Sequence, residues 1–235
     1  MEDVAVAAST HSDGVVLTGV NWCVAAGDFW AVRGGQHSGK TTVLELAAGL
    51  RQPTRGVCRV FGSCLAERTG HDDLETRRRV GVVFDGGGRL FPRLSLVDNI
   101  RLPLRYHAGE TGVPDEAWAD ELVGLLDLTG IADLLPARVS PGRRQRAALA
   151  RALALRPELL LLDNPLGNID PDERAWWIRE LNALVDGSSR IASGRVTVIT
   201  TVGDHRDLRD IAAREARLLN RSLITSPPPA ATSPA

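Results

Sequence analysis

Eight consecutive residues constrain this chain more than any others: Gly34, Gly35, Gln36, His37, Ser38, Gly39, Lys40 and Thr41. They satisfy the pattern G-x-x-x-x-G-K-[ST]. They stand between an apolar run, Phe29-Trp30-Ala31-Val32, and a segment with helical spacing from Thr41 to Leu50. Backbone N–H groups of such a loop, with the first N–H groups of the helix behind it, make a cradle for phosphate oxygens. Lys40 is expected to reach the β- and γ-phosphates of a nucleotide, and the Thr41 hydroxyl to bind Mg²⁺, with Thr42 closing the segment. Lys40 is also the one lysine among 28 basic residues. A compact ammonium on a flexible stem suits a phosphate-cradling loop, where a planar guanidinium is a poor substitute.

A strand feeding a loop and then a helix calls for an α/β architecture, and the rest of the chain repeats the alternation. Val15 to Leu17, Trp22 to Val24, Val57 to Phe61, Arg79 to Phe84 and Val196 to Thr201 read as strands. From about Leu90 to Leu155 the pattern is helical; Trp118, Leu122, Leu125 and Leu126 recur at intervals of three and four. This stretch reads as a helical lobe inserted into a largely parallel sheet. Leu159 to Leu162 is an apolar run fit for a central parallel strand. Asp170-Pro171-Asp172-Glu173 opens the next helix, with Asp170 as N-cap, Pro171 at the first helical position and Glu173 completing a capping-box pattern.

The strand Leu159 to Leu162 ends in Asp163. A carboxylate there is what a phosphate loop needs to help hold Mg²⁺. Thr41 and Asp163 are therefore the expected metal-side groups.

Composition limits the partners. Lys and Arg total 28 against 29 Asp and Glu, a formal net charge of −1, so the basic excess of a nucleic-acid binder is missing. Cys23, Cys58 and Cys64 lack metal-ligand spacing and read as free thiols in a reducing compartment. No run of about 18 apolar residues is present to span a bilayer, and Met1-Glu2-Asp3 lacks the basic start of a signal peptide. Residues 222–235, rich in Pro, Ala and Ser, read as a disordered tail.

The order of segments over roughly residues 10–224 resembles that of ABC-type ATPases. Val139-Ser140-Pro141-Gly142-Arg143-Arg144-Gln145-Arg146 is similar to the family's signature segment, and Leu160 to Asp170 resembles its Walker B strand and D-loop. The resemblance implies a P-loop NTPase fold of the ABC type: a mainly parallel central sheet, a small antiparallel β region and an inserted helical lobe. It divides the chain into residues 1–86 and 158–221 for the nucleotide-binding core, 87–157 for the lobe and 222–235 for the tail. It implies MgATP held at a dimer interface, between one subunit's phosphate loop and the Ser140–Gly142 region of the other. Partners would be a membrane permease and a second ATPase subunit, identical or different, with no nucleic acid. The chain would sit in the cytoplasm, peripheral on the inner face of the membrane. Arg89-Leu90-Phe91 and Asp98-Asn99-Ile100 through Pro103-Leu104-Arg105 resemble Mla/Mce-type lipid-transport ATPases.

The departures from the family cluster on hydrolysis. Asn164 stands where the family has the glutamate that activates water, and a neutral amide cannot accept a proton. The switch histidine falls at Gly203, unless a longer loop brings His205 into the role. The Q-loop glutamine falls at Asp85, which can ligate Mg²⁺ but adds negative charge near the γ-phosphate. His37 replaces a loop glycine, Pro141 replaces a signature glycine, and no aromatic stands near Ser9-Thr10-His11 to stack on adenine. Groups that hold a nucleotide are thus present, and groups that cleave it are altered. Two readings follow: an ATP-binding transporter subunit with impaired hydrolysis of its own, or a non-hydrolysing regulatory subunit of a membrane complex.

Overall fold

The computed structural model describes residues 1–7, 15–68, 71–87, 89–111, 115–192, 194–203 and 214–225. His11, His205 and residues 226–235 of the expected tail lie outside these.

Three short strands form an antiparallel sheet at the start of the chain. β1 (Glu2–Ala7) lies between β2 (Val15–Val20) and β4 (Arg55–Val57), giving the order β2-β1-β4. The central sheet has six strands in the order β11-β10-β3-β9-β8-β7. Its members are β3 (Phe29–Arg33), β7 (Val80–Val83), β8 (Leu159–Leu162), β9 (Thr197–Val202), β10 (Arg214–Leu219) and β11 (Ser222–Thr225). The neighbours from β10 to β7 are parallel; only β11 runs antiparallel, at the edge. β5 (Arg59–Val60) and β6 (Ser63–Cys64) make a separate two-stranded hairpin.

The parallel sheet is covered on both faces, which explains its unbroken apolar runs. In β8, Leu160 and Leu162 join the core on one face, and Leu159 and Leu161 join the core on the other. Burial of each such leucine stabilises the fold by roughly 1.5–3 kcal/mol. One face packs on α1 (Lys40–Ala47) through Val43, Leu44 and Leu46, with the antiparallel sheet beyond. The other carries the helical lobe, made of α3 (Leu96–Thr111), α4 (Glu116–Leu125) and α5 (Pro141–Leu153), together with α6 (Pro171–Asp186). The lobe enters the chain between β7 and β8, which are neighbours in the sheet.

Several expectations need correction. Trp22 to Val24 is not a strand; the segment is irregular, and Trp22 instead packs edge-on against Trp30 at 5.5 Å. The stretch from Val57 to Phe61 divides between β4 and β5. Residues 222–225, assigned to the tail, form β11, because β10 offers a full register of antiparallel partners from Ala216↔Thr225 to Leu219↔Ser222. β1 and α2 (His71–Arg78) were not foreseen, and α2 has almost no apolar residue to give a periodic signal. At the start of α6, Asp170 does cap, accepting from Glu173 N at 2.9 Å, and Pro171 is the first helical residue. The Glu173 carboxylate, however, faces Arg146 rather than completing a capping box. The three cysteines are free, as expected.

Candidate functional site

All the candidate groups with described positions on the central sheet lie beyond the carboxyl ends of four adjacent parallel strands. The phosphate loop follows β3, Gly203 follows β9, Asp163 and Asn164 follow β8, and Asp85 lies just past β7. This is the edge at which open parallel sheets collect ligands, since each strand end there can deliver a loop or helix N-terminus.

The loop from Gly34 to Gly39 ends on α1. Gly39 takes φ +97, a left-handed geometry that a side chain resists, and serves as the N-cap without a side-chain bond. With no side chain capping it, the start of α1 has N–H groups available to an anion. His37 also has positive φ, at 60. Ser38 donates its N–H to Gly35 O at 3.3 Å, and its buried Oγ has no hydrogen-bond partner among the described residues. Lys40 folds back across the loop: Nζ donates to Gly34 O at 2.7 Å and to Gly35 O at 2.8 Å. Partial burial lowers its pKa from the ordinary lysine value, and the nearby Asp163 opposes that shift. The ammonium thus occupies the space over the loop and can exchange two carbonyl contacts for phosphate oxygens. Gln36 is exposed and Thr42 half-buried, with no direct role visible.

Asp163 is the hub on the metal side. It is 6% exposed, and its backbone N–H donates to Val83 O at 2.8 Å. Thr41 Oγ1 donates to Asp163 Oδ2 at 2.8 Å, and Thr201 Oγ1 donates to Asp163 Oδ1 at 2.7 Å. Thr201 Oγ1 in turn accepts from Asn164 N at 2.9 Å. A hydroxyl and a carboxylate in direct contact are hard oxygen donors of the kind Mg²⁺ prefers, so Thr41 and Asp163 fit the ion. No sequence motif marks Thr201, which ends an apolar strand pattern from Val196. Its signal lies in the register: Thr200 stands opposite Leu162, so Thr201 comes beside Asp163.

Asp85 is not brought to Thr41. Its Oδ1 accepts from Gly86 N at 2.7 Å, and its Oδ2 accepts from Asn164 Nδ2 at 3.1 Å. The two altered positions, 85 and 164, are therefore direct partners. Asn164 is further enclosed by Gly167: a Cβ there would fall 2.1 Å from Asn164 Nδ2. Gly203 is exposed in a bend past β9 and offers no side chain to the site.

The Ser140 region forms a second helix start. Ser140 caps α5, its Oγ accepting from Arg143 N at 3.4 Å, and Pro141 opens the helix without cost. Gly142 is pressed against α6, where a Cβ would lie 2.5 Å from Glu173 Cγ. Glu173 accepts from Arg146 Nε at 2.7 Å and pairs with Arg143 Nε at 3.2 Å. Arg146 also reaches Asp127 at 2.8 Å and stacks on the Trp176 ring at 4.1 Å. This ion cluster, buried at Arg146 and Glu173 and open to water at Arg143 and Asp127, joins the starts of α5 and α6.

Comparison with known proteins agrees with this geometry. Residues 17–167 match the model of the ABC transporter family. The chain is 36% identical over 204 residues to the sulfate/thiosulfate import ATP-binding protein CysA of Mesorhizobium japonicum, covering 84% of this chain and 55% of that protein. It is 32% identical over 201 residues to the intermembrane phospholipid transport system ATP-binding protein MlaF of Haemophilus influenzae, covering 83% of this chain and 75% of the other. It spans little more than half the length of the CysA relative. Among solved structures, the ATP-binding cassette MJ0796, a dimer in a post-hydrolysis state bound to ADP and Pi, superposes with a TM-score of 0.81 at 26% identity, covering 94% of both chains.

Proposed function

This chain belongs to the ABC transporter ATP-binding family, and from that premise we propose that it binds MgATP at a dimer interface and couples it to a separate membrane permease. The observation that carries the reading is the Lys40, Thr41, Asp163 and Thr201 set at the carboxyl ends of β3, β8 and β9. Lys40 and the N–H groups at the start of α1 bind and orient the phosphates. Thr41 and Asp163 hold Mg²⁺, which when bound neutralises charge on the phosphate oxygens. Thr201 keeps the Asp163 carboxylate from rotating. Equilibrium binding of a labelled ATP analogue, with and without Mg²⁺, tests the reading on native, Lys40→Ala and Asp163→Asn chains. Native-like affinity in both variants would end it.

Hydrolysis by this chain's own site is impaired in our reading. Asn164 cannot take a proton from water, and its amide is engaged by Asp85. The same contact favours the second reading, a non-hydrolysing subunit whose bound ATP stabilises an assembly by mass action. Steady-state ATPase activity, measured alone and with the native partners, separates the two.

The permease would dock on the lobe at residues 86–155, placing the chain on the cytoplasmic face of the membrane. Among the described residues no helix is long and apolar enough to cross a bilayer. Phe91, Tyr106 and Leu135 are exposed there, at 52%, 70% and 41%. Asn99, fully buried, shapes that face by binding Phe91 N and O and the carbonyls of Leu94 and Ser95. A lipid cargo is supported by the resemblance of residues 89–105 to lipid-transport ATPases and by the MlaF relative. Reconstitution with the permease and a fluorescent phospholipid tests the cargo; transport of sulfate instead would replace it.

A further inference from the structure

We propose that a second ligand site lies at the opposite edge of the central sheet from the phosphate loop, and that it takes a small amphipathic anion, an apolar body carrying a carboxylate or sulfonate. A cavity of about 920 Å³ opens there, within the range of roughly 300–1,000 Å³ usual for small-molecule sites. Gly27, Arg79, Leu159 and Thr197 line it, and they stand at or beside the starts of β3, β7, β8 and β9. The nucleotide groups follow the other ends of the same strands, so the two sites share a sheet and no residue.

The floor is apolar. Ala47, Val60, Leu159 and Ile199 line it and are each no more than 8% exposed, with Trp22 beside them at 6%. Such a surface favours a hydrocarbon or aromatic body over a hydrated ion. The rim is charged, and its charges decide the sign of the ligand. Arg59 is matched by Glu2 at 2.5 Å, and Arg79 by Glu158 at 2.6 Å. Arg79 is further committed by stacking on the Phe61 ring at 3.8 Å. These two pairs are neutral in sum. The Met1 ammonium, also in the lining, donates to Trp22 O at 2.9 Å. Arg195 is the lining cation whose guanidinium no hydrogen bond or ion pair engages among the described residues. Its stem is placed by Gly27, where a Cβ would lie 3.5 Å from Arg195 Cδ. An uncommitted planar fork at the mouth of an apolar cleft matches the two oxygens of a carboxylate or sulfonate.

The probe is anilinonaphthalene sulfonate, an aromatic body with one sulfonate, titrated by fluorescence into the full chain. Saturable binding is expected, weakened about tenfold by Arg195→Glu, the scale of one charge-assisted contact, and largely kept by Arg195→Lys. Arg195 is exposed, so neither change threatens the fold. Cys23, exposed and lining the cavity, supplies an independent readout. Bound probe should slow its alkylation by iodoacetamide, followed by mass spectrometry. Binding should persist in Lys40→Ala and in the presence of saturating ATP, which separates this site from the nucleotide site. Absence of binding, indifference to Arg195→Glu, no protection of Cys23, or displacement by ATP would each overturn the proposal.

Discussion

Asn164 donates its side-chain amide to Asp85, and that contact changes what a repair of the hydrolytic site requires. Replacing Asn164 by glutamate alone sets a second carboxylate against the first. Two like charges at hydrogen-bonding distance disfavour joint ionisation, so the new base would be protonated or displaced. Asn164→Glu is therefore expected to raise steady-state ATP turnover less than the pair Asn164→Glu with Asp85→Gln, which should gain on the order of 10²-fold, the lower end of what a general base contributes. Equal gains in both would show that Asp85 does not face the substituted side chain. At Lys40 the expectation is simpler. Lys40→Ala removes the ammonium that folds over the loop, and ATP affinity should fall at least about tenfold, roughly 1.4 kcal/mol, in equilibrium binding.

Helices α5 and α6 begin side by side, and their junction is ionic rather than apolar. Glu173 and Arg146 are only 6% and 5% exposed, and each keeps one further partner, Arg143 for Glu173 and Asp127 for Arg146, so loss of either charge leaves a buried partner only partly compensated. Glu173→Ala leaves Arg146 with Asp127 as its remaining carboxylate and should lower stability by about 1–3 kcal/mol in urea unfolding, the cost of a buried donor losing its partner. A loss below about 1 kcal/mol would match an exposed pair instead. Gly142→Ala should act on the same junction from the other helix, because its Cβ has no room beside Glu173 Cγ. The pairing was hidden in the sequence because the two residues are 27 positions apart and belong to different elements. The cap of α6 was legible, because Asp170 with Pro171 acts on the backbone within one turn.

For the whole molecule, the damaged hydrolytic positions and the intact Ser140 cap suggest one half of an unequal pair. Ser140→Ala in the assembled complex should then sharply lower its ATPase, because Ser140 would complete a partner's site. Thermal denaturation of the isolated variant serves as control, since losing an N-cap costs about 1 kcal/mol by itself. A complex of two copies of this chain, fully active in transport, would rule out the unequal pair. What the sequence alone determined was whatever depends on neighbours in the chain. The phosphate loop was readable from eight consecutive residues, the β8 strand from four leucines, and Asp163 from its place at their end. Tertiary structure decided what depends on register and burial. Thr201 reaches Asp163 because β9 lies beside β8, and Asp85 meets Asn164 because β7 lies on its other side. Residues 222–225 look like part of a disordered tail until β10 supplies their hydrogen bonds. A strand's partners, unlike a helix's, come from elsewhere in the chain, and local composition carries no record of which segment will arrive.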